Sequence, residues 1–448
     1  MTVTSQAPSA HSAVTPPGHR DIWHLAGPII LSNLSTPLLG AVDTAVMGHL
    51  PDAAYLGAVA VGSVIFSFLY WGFGFLRMGT TGFTAQAHGA GDADELRACL
   101  GRPLLLAVGL GGTLIVLQWP IGWAAFRLME ASTQVESLAR SYFAIRIWSA
   151  PFALVNYAVL GWLLGTQRAR HALVLQVVLN GVNIALDLLF VLGLGYTIAG
   201  VAAASLLAEM IAAGLGLGLC AYLLRREGGR WSRAKLLARE RLLRLFQVNR
   251  DIFLRTLSLI FAFAYFTAKG AELGETTLAA NAILMQLQNV LSFGLDGFAH
   301  AAEILVGRAV GAKDRRAFAG AVRTSTIWAL ILAILFAGVL ALAGPAIVAL
   351  FSDIEAVREK ALVFLPWMIA SPLISVWAFQ LDGIFIGATR TAAMRNAMLV
   401  SVASYVAAVW LLVPWQGNHG LWLALMLFLG ARGVTLAAAF PALARTLR

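Results

Sequence analysis

The chain is a succession of apolar runs broken by short polar stretches. Twelve runs can be read, at residues 22–47, 55–84, 100–126, 136–165, 171–193, 198–224, 247–270, 277–307, 319–350, 361–387, 393–414 and 420–441. About 20 apolar residues in a helix cross the hydrocarbon of a bilayer. Lipid cannot satisfy backbone hydrogen bonds, so each run predicts a membrane-spanning helix. The runs are too long for barrel strands of about 10 residues. The predicted class is an all-α integral membrane protein with twelve transmembrane helices. Residues 1–20 are polar, contain Pro16 and Pro17, and read as a disordered lead. The run at 22–47 has no cleavage site and reads as a retained span.

The pattern repeats. Leu56, Ala58, Ala60, Gly72, Ala87, Gly89, Ala90 and Asp92 recur at one constant offset as Leu278, Ala280, Ala282, Gly294, Ala309, Gly311, Ala312 and Asp314. Gly161, Gly165 and Arg168 recur at the same offset as Gly383, Gly387 and Arg390. Six spans per half return the chain to one side, so the halves share an orientation and are related about the membrane normal. This predicts two pseudo-symmetric six-helix lobes, at 21–224 and 247–448. Between them, 225–246 is basic and amphipathic and reads as a surface helix bridging the lobes, or as a plain basic loop.

Composition agrees. Of 448 residues 59% are hydrophobic and 12% charged, about half the roughly 25% charged content of soluble proteins. The formal charge of +10 is concentrated after even-numbered spans: Arg97, Arg102, Arg168, Arg170, Arg225 to Arg250, Lys313, Arg315, Arg316, Arg390 and Arg395. By the positive-inside rule both termini are cytoplasmic. The charge is this bias and not a nucleic-acid surface. Cys99 and Cys220 are too far apart in the pattern to suggest a disulfide or metal site. No Walker motif is present, which argues against an ATP-driven pump.

Polar groups inside the runs carry the chemistry, because each is costly in a bilayer. In the first run Asn33, Thr36, Gly40, Asp43 and Met47 fall on one helical face; in the fifth, Gln176, Asn180, Asn183 and Asp187 do. Two stripes that end in carboxylates predict one wet cavity in the N-terminal half. Asn156 in the fourth run is a further cavity-lining candidate. Two acids in a desolvated site titrate as a unit and can exchange a proton. The alternative is that both only make interhelical hydrogen bonds. At the offset of the repeat Asp43 becomes Tyr265, Asn183 becomes Tyr405 and Asp187 becomes Val409. The acidic site is therefore expected in the first half only.

The second half has its own polar set: Arg255, Asp296, His300, Glu303 and Asp382. A lone membrane Arg is expensive, so Arg255 needs Glu303 or Asp382 as partner. The set reads as a second ion site, a salt-bridge gate, or a structural ion pair. Arg77, Arg146 and Glu209 admit the same readings, with the structural one ahead. Pro28 and Pro37 permit a bend in the first helix, or a static kink.

The stretches Pro28-Ile-Ile-Leu-Ser-Asn33 and Val42-Asp43-Thr44-Ala45-Val46-Met47-Gly48-His49-Leu50 resemble the first helix of multidrug and toxic-compound extrusion (MATE) transporters. So do Phe75-Leu-Arg77-Met-Gly-Thr-Thr81-Gly and Gly89-Ala-Gly-Asp92. The run from Asp382 to Arg390, with Met394-Arg-Asn396, is similar to the DinF-like branch. The resemblance covers about 22–440. It implies a V of two six-helix lobes that exports organic cations in exchange for H⁺ or Na⁺. The implied ion site is Asp43, Asn183 and Asp187, with the sixth-helix hydroxyl at Ser205 and a bend at Pro28. Na⁺ at Asp43, Asn183 and Asp187 is the alternative to a proton. Some members use acids on helices seven and ten. Asp382 is a possible counterpart, but helix seven offers Arg255 where an acid is wanted, which favours the N-terminal site and protons.

The expected protein is thus a secondary antiporter. It is monomeric, resides in the inner membrane, expels hydrophobic cationic compounds and uses no cofactor beyond the coupling ion. A flippase for a lipid-linked precursor is the rival transport reading. A membrane enzyme or a scaffold is the rival of another class.

Overall fold

The structure is a computed structural model that describes residues 15–48, 52–129 and 131–445, without the side chains of 36–41 and 43–48. In chain order the helices are α1 (His19–Gly48), α2 (Ala53–Gly72), α3 (Phe75–Gly89), α4 (Ala93–Val116), α5 (Gln118–Met129), α6 (Thr133–Arg146), α7 (Ala150–Gly165), α8 (Ala169–Asp187), α9 (Ile198–Glu227), α10 (Arg233–Leu236), α11 (Arg239–Glu272), α12 (Glu275–Gly311), α13 (Arg315–Ala349), α14 (Glu355–Gly387), α15 (Thr391–Gln416) and α16 (Asn418–Arg445). The pairs α2–α3 and α6–α7 each make one bent span. Among the described residues eleven spans are long and apolar enough to cross a membrane. With α1, 30 residues long, they supply the twelve spans expected, and the all-α membrane architecture is borne out.

Equivalent residues do equivalent work in the two halves. Asp92 caps α4 by accepting from Glu95 N at 2.9 Å, and Asp314 caps α13 by accepting from Ala317 N at 2.9 Å. A side chain at an N-cap satisfies one of the donors left free in the first turn. Within the first half, a Cβ on Gly161 would crowd Arg77 O and one on Gly165 would crowd Thr81 O. Within the second half, Gly383 meets Ala299 O and Gly387 meets Glu303 O in the same way. The repeated glycines are therefore the points where α7 closes on α3 and α14 closes on α12. Small residues permit such backbone approach where lipid supplies no hydrophobic drive between helices.

The halves meet mainly through α3 and α12. Here the repeat acts across the pseudo-twofold. A Cβ on Gly89 would overlap Arg308 O, and one on Gly311 would overlap Gln86 O. Polar bonds follow the same symmetry. Gln86 Nε2 donates to Gly387 O at 2.9 Å and to Thr389 Oγ1 at 3.2 Å. Arg308 Nη1 donates to Gln167 Oε1 at 3.0 Å. Gln167 and Thr389 are the symmetry-related helix-ending residues, with φ of 62° and 53°.

This closure lies at the end of the bundle that carries the arginine-rich loops. The segment 225–246 is not one surface helix. α9 extends to Glu227, α10 is a short turn, and Arg239 already starts α11, which runs on into the seventh span. The segment is fastened to the first half. Arg97 donates to Leu224 O at 2.5 Å, Arg102 to Lys235 O at 2.6 Å, and Lys235 Nζ to Asp92 at 2.8 Å. Burial works to raise the Asp92 carboxyl, but the bond from Lys235, the Glu95 N–H and the ammonium charge outweigh it and hold it below its ordinary value. The disordered lead lies outside the described residues as far as residue 14. Its end is placed: Thr324 Oγ1 on α13 donates to Pro17 O at 3.4 Å.

Candidate functional site

The first half holds a buried polar chain. Asn183 and Asp187 share a face of α8, one turn apart, and Ser205 faces them from α9; all three are buried. With the Asn183 amide turned toward the acid, its Nδ2 donates to Asp187 Oδ2 at 3.0 Å and its Oδ1 accepts from Ser205 Oγ at 3.2 Å. Arg146 Nη1 of α6 in turn donates to Ser205 Oγ at 3.1 Å. The bonds run in one direction, from guanidinium through hydroxyl and amide to carboxylate. Each of these three bonds pairs a donor with an acceptor. Arg146 also donates to Tyr142 Oη, and its carbonyl accepts from Ser149 Oγ at 2.7 Å.

Directly after Asp187 the helix widens into a π-helical turn, Leu188–Gly193. Such turns are rare and collect at functional sites. Nothing in the apolar run LLFVLG announces it. Further down α8, Gln176 Nε2 donates to Asn180 Oδ1 at 3.1 Å, and Asn180 Nδ2 donates to Ser35 Oγ of α1 at 2.9 Å. The α8 stripe therefore faces α1 and α9. The side chains of Thr36, Asp43 and Met47 lie outside the described residues. Asn156 is buried and donates to Glu209 Oε2 at 2.6 Å.

At the equivalent place in the second half there is no acid among the described residues. Tyr265 and Tyr405, which stand at the positions of Asp43 and Asn183, meet edge-to-face with ring centroids 6.0 Å apart. Tyr405 also packs on Phe428, with centroids 5.5 Å apart, and Val409 is buried one turn further along α15. What is a polar chain in one half is an aromatic plug in the other.

The second half's charges lie elsewhere. Asp382 on α14 is gripped by two guanidinium groups, Arg255 of α11 and Arg432 of α16, the latter at 2.7 Å. All three are buried. Of the two partners open to Arg255, the structure selects Asp382. Arg432 went unnoticed in the sequence, although its position inside the last apolar run was a signal available there. Removing one partner of a buried pair costs about 3–5 kcal/mol, because the other charge stays buried. Asp382→Asn is expected to lower the melting temperature of the detergent-solubilised protein more than any surface substitution. A melting curve equal to that of the parent protein would refute this structural role.

Between the halves, α1, α3, α7, α8 and α12 line a cavity of about 160 Å³ whose lining includes Pro28, Asn33, Arg77, Tyr157, Gln176 and His300. Asn33 Nδ2 donates to Phe293 O of α12 at 3.4 Å. Drug-sized sites occupy roughly 300–1,000 Å³, so the cavity is too small for such a ligand in this arrangement. Arg77 contacts His300 Nε2 at 3.0 Å, and His300 Nδ1 lies 3.1 Å from Glu303 Oε2. Asp296 sits one turn before His300. Of the residues read as structural, Arg77 and Arg146 thus enter the two polar chains. The signal was present: a solitary arginine within an apolar run. Among the described residues no group of three His, Cys, Asp or Glu side chains is placed to hold a metal ion.

Comparison with known proteins places this geometry. The MatE family model matches residues 28–189 and 252–411, one match in each half. DNA damage-inducible protein F of Escherichia coli is 44% identical over 93% of this chain and 91% of its own length. A probable multidrug resistance protein NorM of Caulobacter vibrioides is 27% identical over 66% of this chain and 63% of its own. In structure, an outward-facing multidrug resistance MATE transporter superposes with a TM-score of 0.84 at 19% identity, covering 96% of each chain.

Proposed function

This chain belongs to the MatE family, in its DinF-like branch, and from that premise we propose that it exports hydrophobic organic cations in exchange for protons. Membership itself makes it a multi-pass membrane transporter for multidrug efflux and not an enzyme. The proposal adds the ion, the substrate charge and the site. It rests on one observation, the hydrogen-bonded chain from half-buried Arg146 through Ser205 and Asn183 to buried Asp187 in the first half, with an aromatic plug at the equivalent place in the second.

Two arguments bring Asp43 to this chain. Asn180 of α8 bonds Ser35 of α1, and Asp187 and Asp43 stand seven and eight residues further along two helices that run the same way. At a rise of about 1.5 Å per residue they reach similar depth. The pseudo-twofold gives the second argument. Tyr265 touches Tyr405, and positions 43 and 183 are their counterparts in the sequence repeat. Two acids with an amide between them form a site that either a proton or an organic cation can neutralise. Competition between the two is what couples them, provided each prefers a different state of the halves.

Sodium at Asp43, Asn183 and Asp187 is the competing coupling ion. The cation binds at the acidic site and not in the central cavity, where Arg77 stands. The arginine-rich end is cytoplasmic, the termini lie on that side of an inner membrane, and Pro28 allows α1 to bend as the site empties. The unit is a monomer, since each chain holds both halves of the closure.

The test is transport of a dye panel by the protein in proteoliposomes, with H⁺ and Na⁺ gradients imposed separately. Cationic dyes are expected to move against an inward proton gradient and to ignore sodium. Export driven by sodium alone would overturn the proton assignment, and transport confined to anionic dyes would overturn the substrate charge.

A further inference from the structure

A second titratable group lies where the halves meet, outside the site just described. Glu303 of α12 is fully buried. One of its carboxyl oxygens meets His300 Nδ1 at 3.1 Å, and the other has no hydrogen-bond partner among the described residues. His300 Nε2 in turn meets Arg77 of α3 at 3.0 Å. An arginine only donates. Nε2 must therefore be the acceptor, and the ring hydrogen sits on Nδ1, facing the acid. The imidazole is neutral and relays a guanidinium of the first half to a carboxylate of the second.

The surroundings leave Glu303 few other charges. Thr81 of α3 lies beside it but donates to Arg77 O at 2.9 Å. Arg255 of α11 acts on His300 and on Asp296, yet it and Arg432 of α16 are bound to Asp382 of α14. Asp296, on its own helix, is a like charge. Arg323 of α13 and His24 of α1 are exposed, and α7 carries no charged side chain. Arg77 is therefore the one cation joined to this acid by hydrogen bonds among the described residues, and it belongs to the opposite half.

We propose that Glu303 is a second proton-binding site, linked through His300 to Arg77 so that proton uptake there and separation of the two halves occur together. When α3 and α12 part, Arg77 leaves and the carboxylate would remain buried without a countercharge, which is strongly unfavourable. A proton removes that charge. Conversely, protonation abolishes the charge that attracts the relay, and the contact across the halves weakens. The ligand is a proton alone, and no bond to substrate is required. This goes beyond the transport reading while resting on it for the movement of the halves.

The experiment uses the full chain in lipid nanodiscs, with spin labels at Ala90→Cys and Lys313→Cys, two exposed positions flanking the closure. Distances are read across the pH range, and pH-difference infrared spectra are recorded in parallel. The parent protein is expected to gain a carboxylic-acid C=O band on acidification as the label distance lengthens. Glu303→Gln should lose that band, and its distances should cease to respond to pH. Arg77→Gln keeps the acid but removes its countercharge, so the band and the long distance should be present already at neutral pH. Parent-like pH responses in either variant would overturn the proposal. The dye panel reads a different event: export coupled to protons can fail while these responses persist, or persist while they fail.

Discussion

Asp43→Asn and Asp187→Asn are each expected to reduce proton-driven export to the level of passive leak. Asparagine keeps the size and hydrogen-bonding capacity of aspartate but cannot alternate between charged and neutral forms. Asp187 accepts from Asn183 Nδ2, and an amide at 187 can present its oxygen to the same donor, so the helix contact survives. What disappears is the difference in affinity that links proton to substrate. Such couplings amount to about 1–3 kcal/mol, or roughly 5–150-fold in affinity, and all of it is lost when the titrating group is gone. Ser205→Ala is the graded control. It breaks the bonds to Arg146 and Asn183 without touching either acid. The cost of one hydrogen bond, about 1 kcal/mol, should weaken export and shift its pH dependence without ending it. Proteoliposome export, measured alongside thermal stability, decides the matter. Full export in Asp187→Asn would remove that residue from the coupling, and a collapse of folding would leave Ser205→Ala to carry the question.

The second large effect is expected from the paired glycines of the closure. A methyl at Gly89 must displace the Arg308 carbonyl, and a methyl at Gly311 must displace that of Gln86. The obstacle in each case is helix backbone, which cannot rotate away as a side chain can. Overpacking of this kind costs about 1–3 kcal/mol per site. With a tenfold change in population for every ~1.4 kcal/mol, the double variant Gly89→Ala/Gly311→Ala should depopulate the closed arrangement by one to several orders of magnitude. Neither glycine lies inside a lobe core, so each half is expected to keep its fold. The prediction is lost transport with near-parental secondary structure, and longer distances between labels at Ala90→Cys and Lys313→Cys. Unchanged distances in the double variant would show that this crossing does not hold the halves together. The two single variants should behave alike, because the pseudo-twofold exchanges the two contacts.

Much of this was legible in the chain. Apolar run lengths located the spans, since a helix crossing lipid must be apolar over a fixed length. The split of α2 from α3 and the π turn after Asp187 were invisible, being local changes of backbone pitch within uniform apolar sequence. The unrepeated residues Asn183 and Asp187 pointed to the polar chain in the first half. Their connection to Arg146 did not show, because it runs through Ser205 of α9, a third helix. The basic segment 225–246 read as one amphipathic helix or as a plain basic loop. In the fold it is divided, because Lys235 and the backbone around it are claimed by Asp92 and Arg102.

The sequence by itself determined the number of membrane spans, the twofold repeat and the asymmetry of chemistry between the halves. All three are recorded in the order and spacing of residues along single helices. The partners of buried charges were decided only by tertiary structure. Arg255 chose Asp382 over Glu303, and Arg432 arrives on the same carboxylate from α16. Glu303 was left to His300 and, through it, to Arg77 across the interface. In a medium that solvates no ion, a charge must find its complement among whichever helices pack beside it. That choice is made where faces from distant parts of the chain meet, and no local pattern contains it.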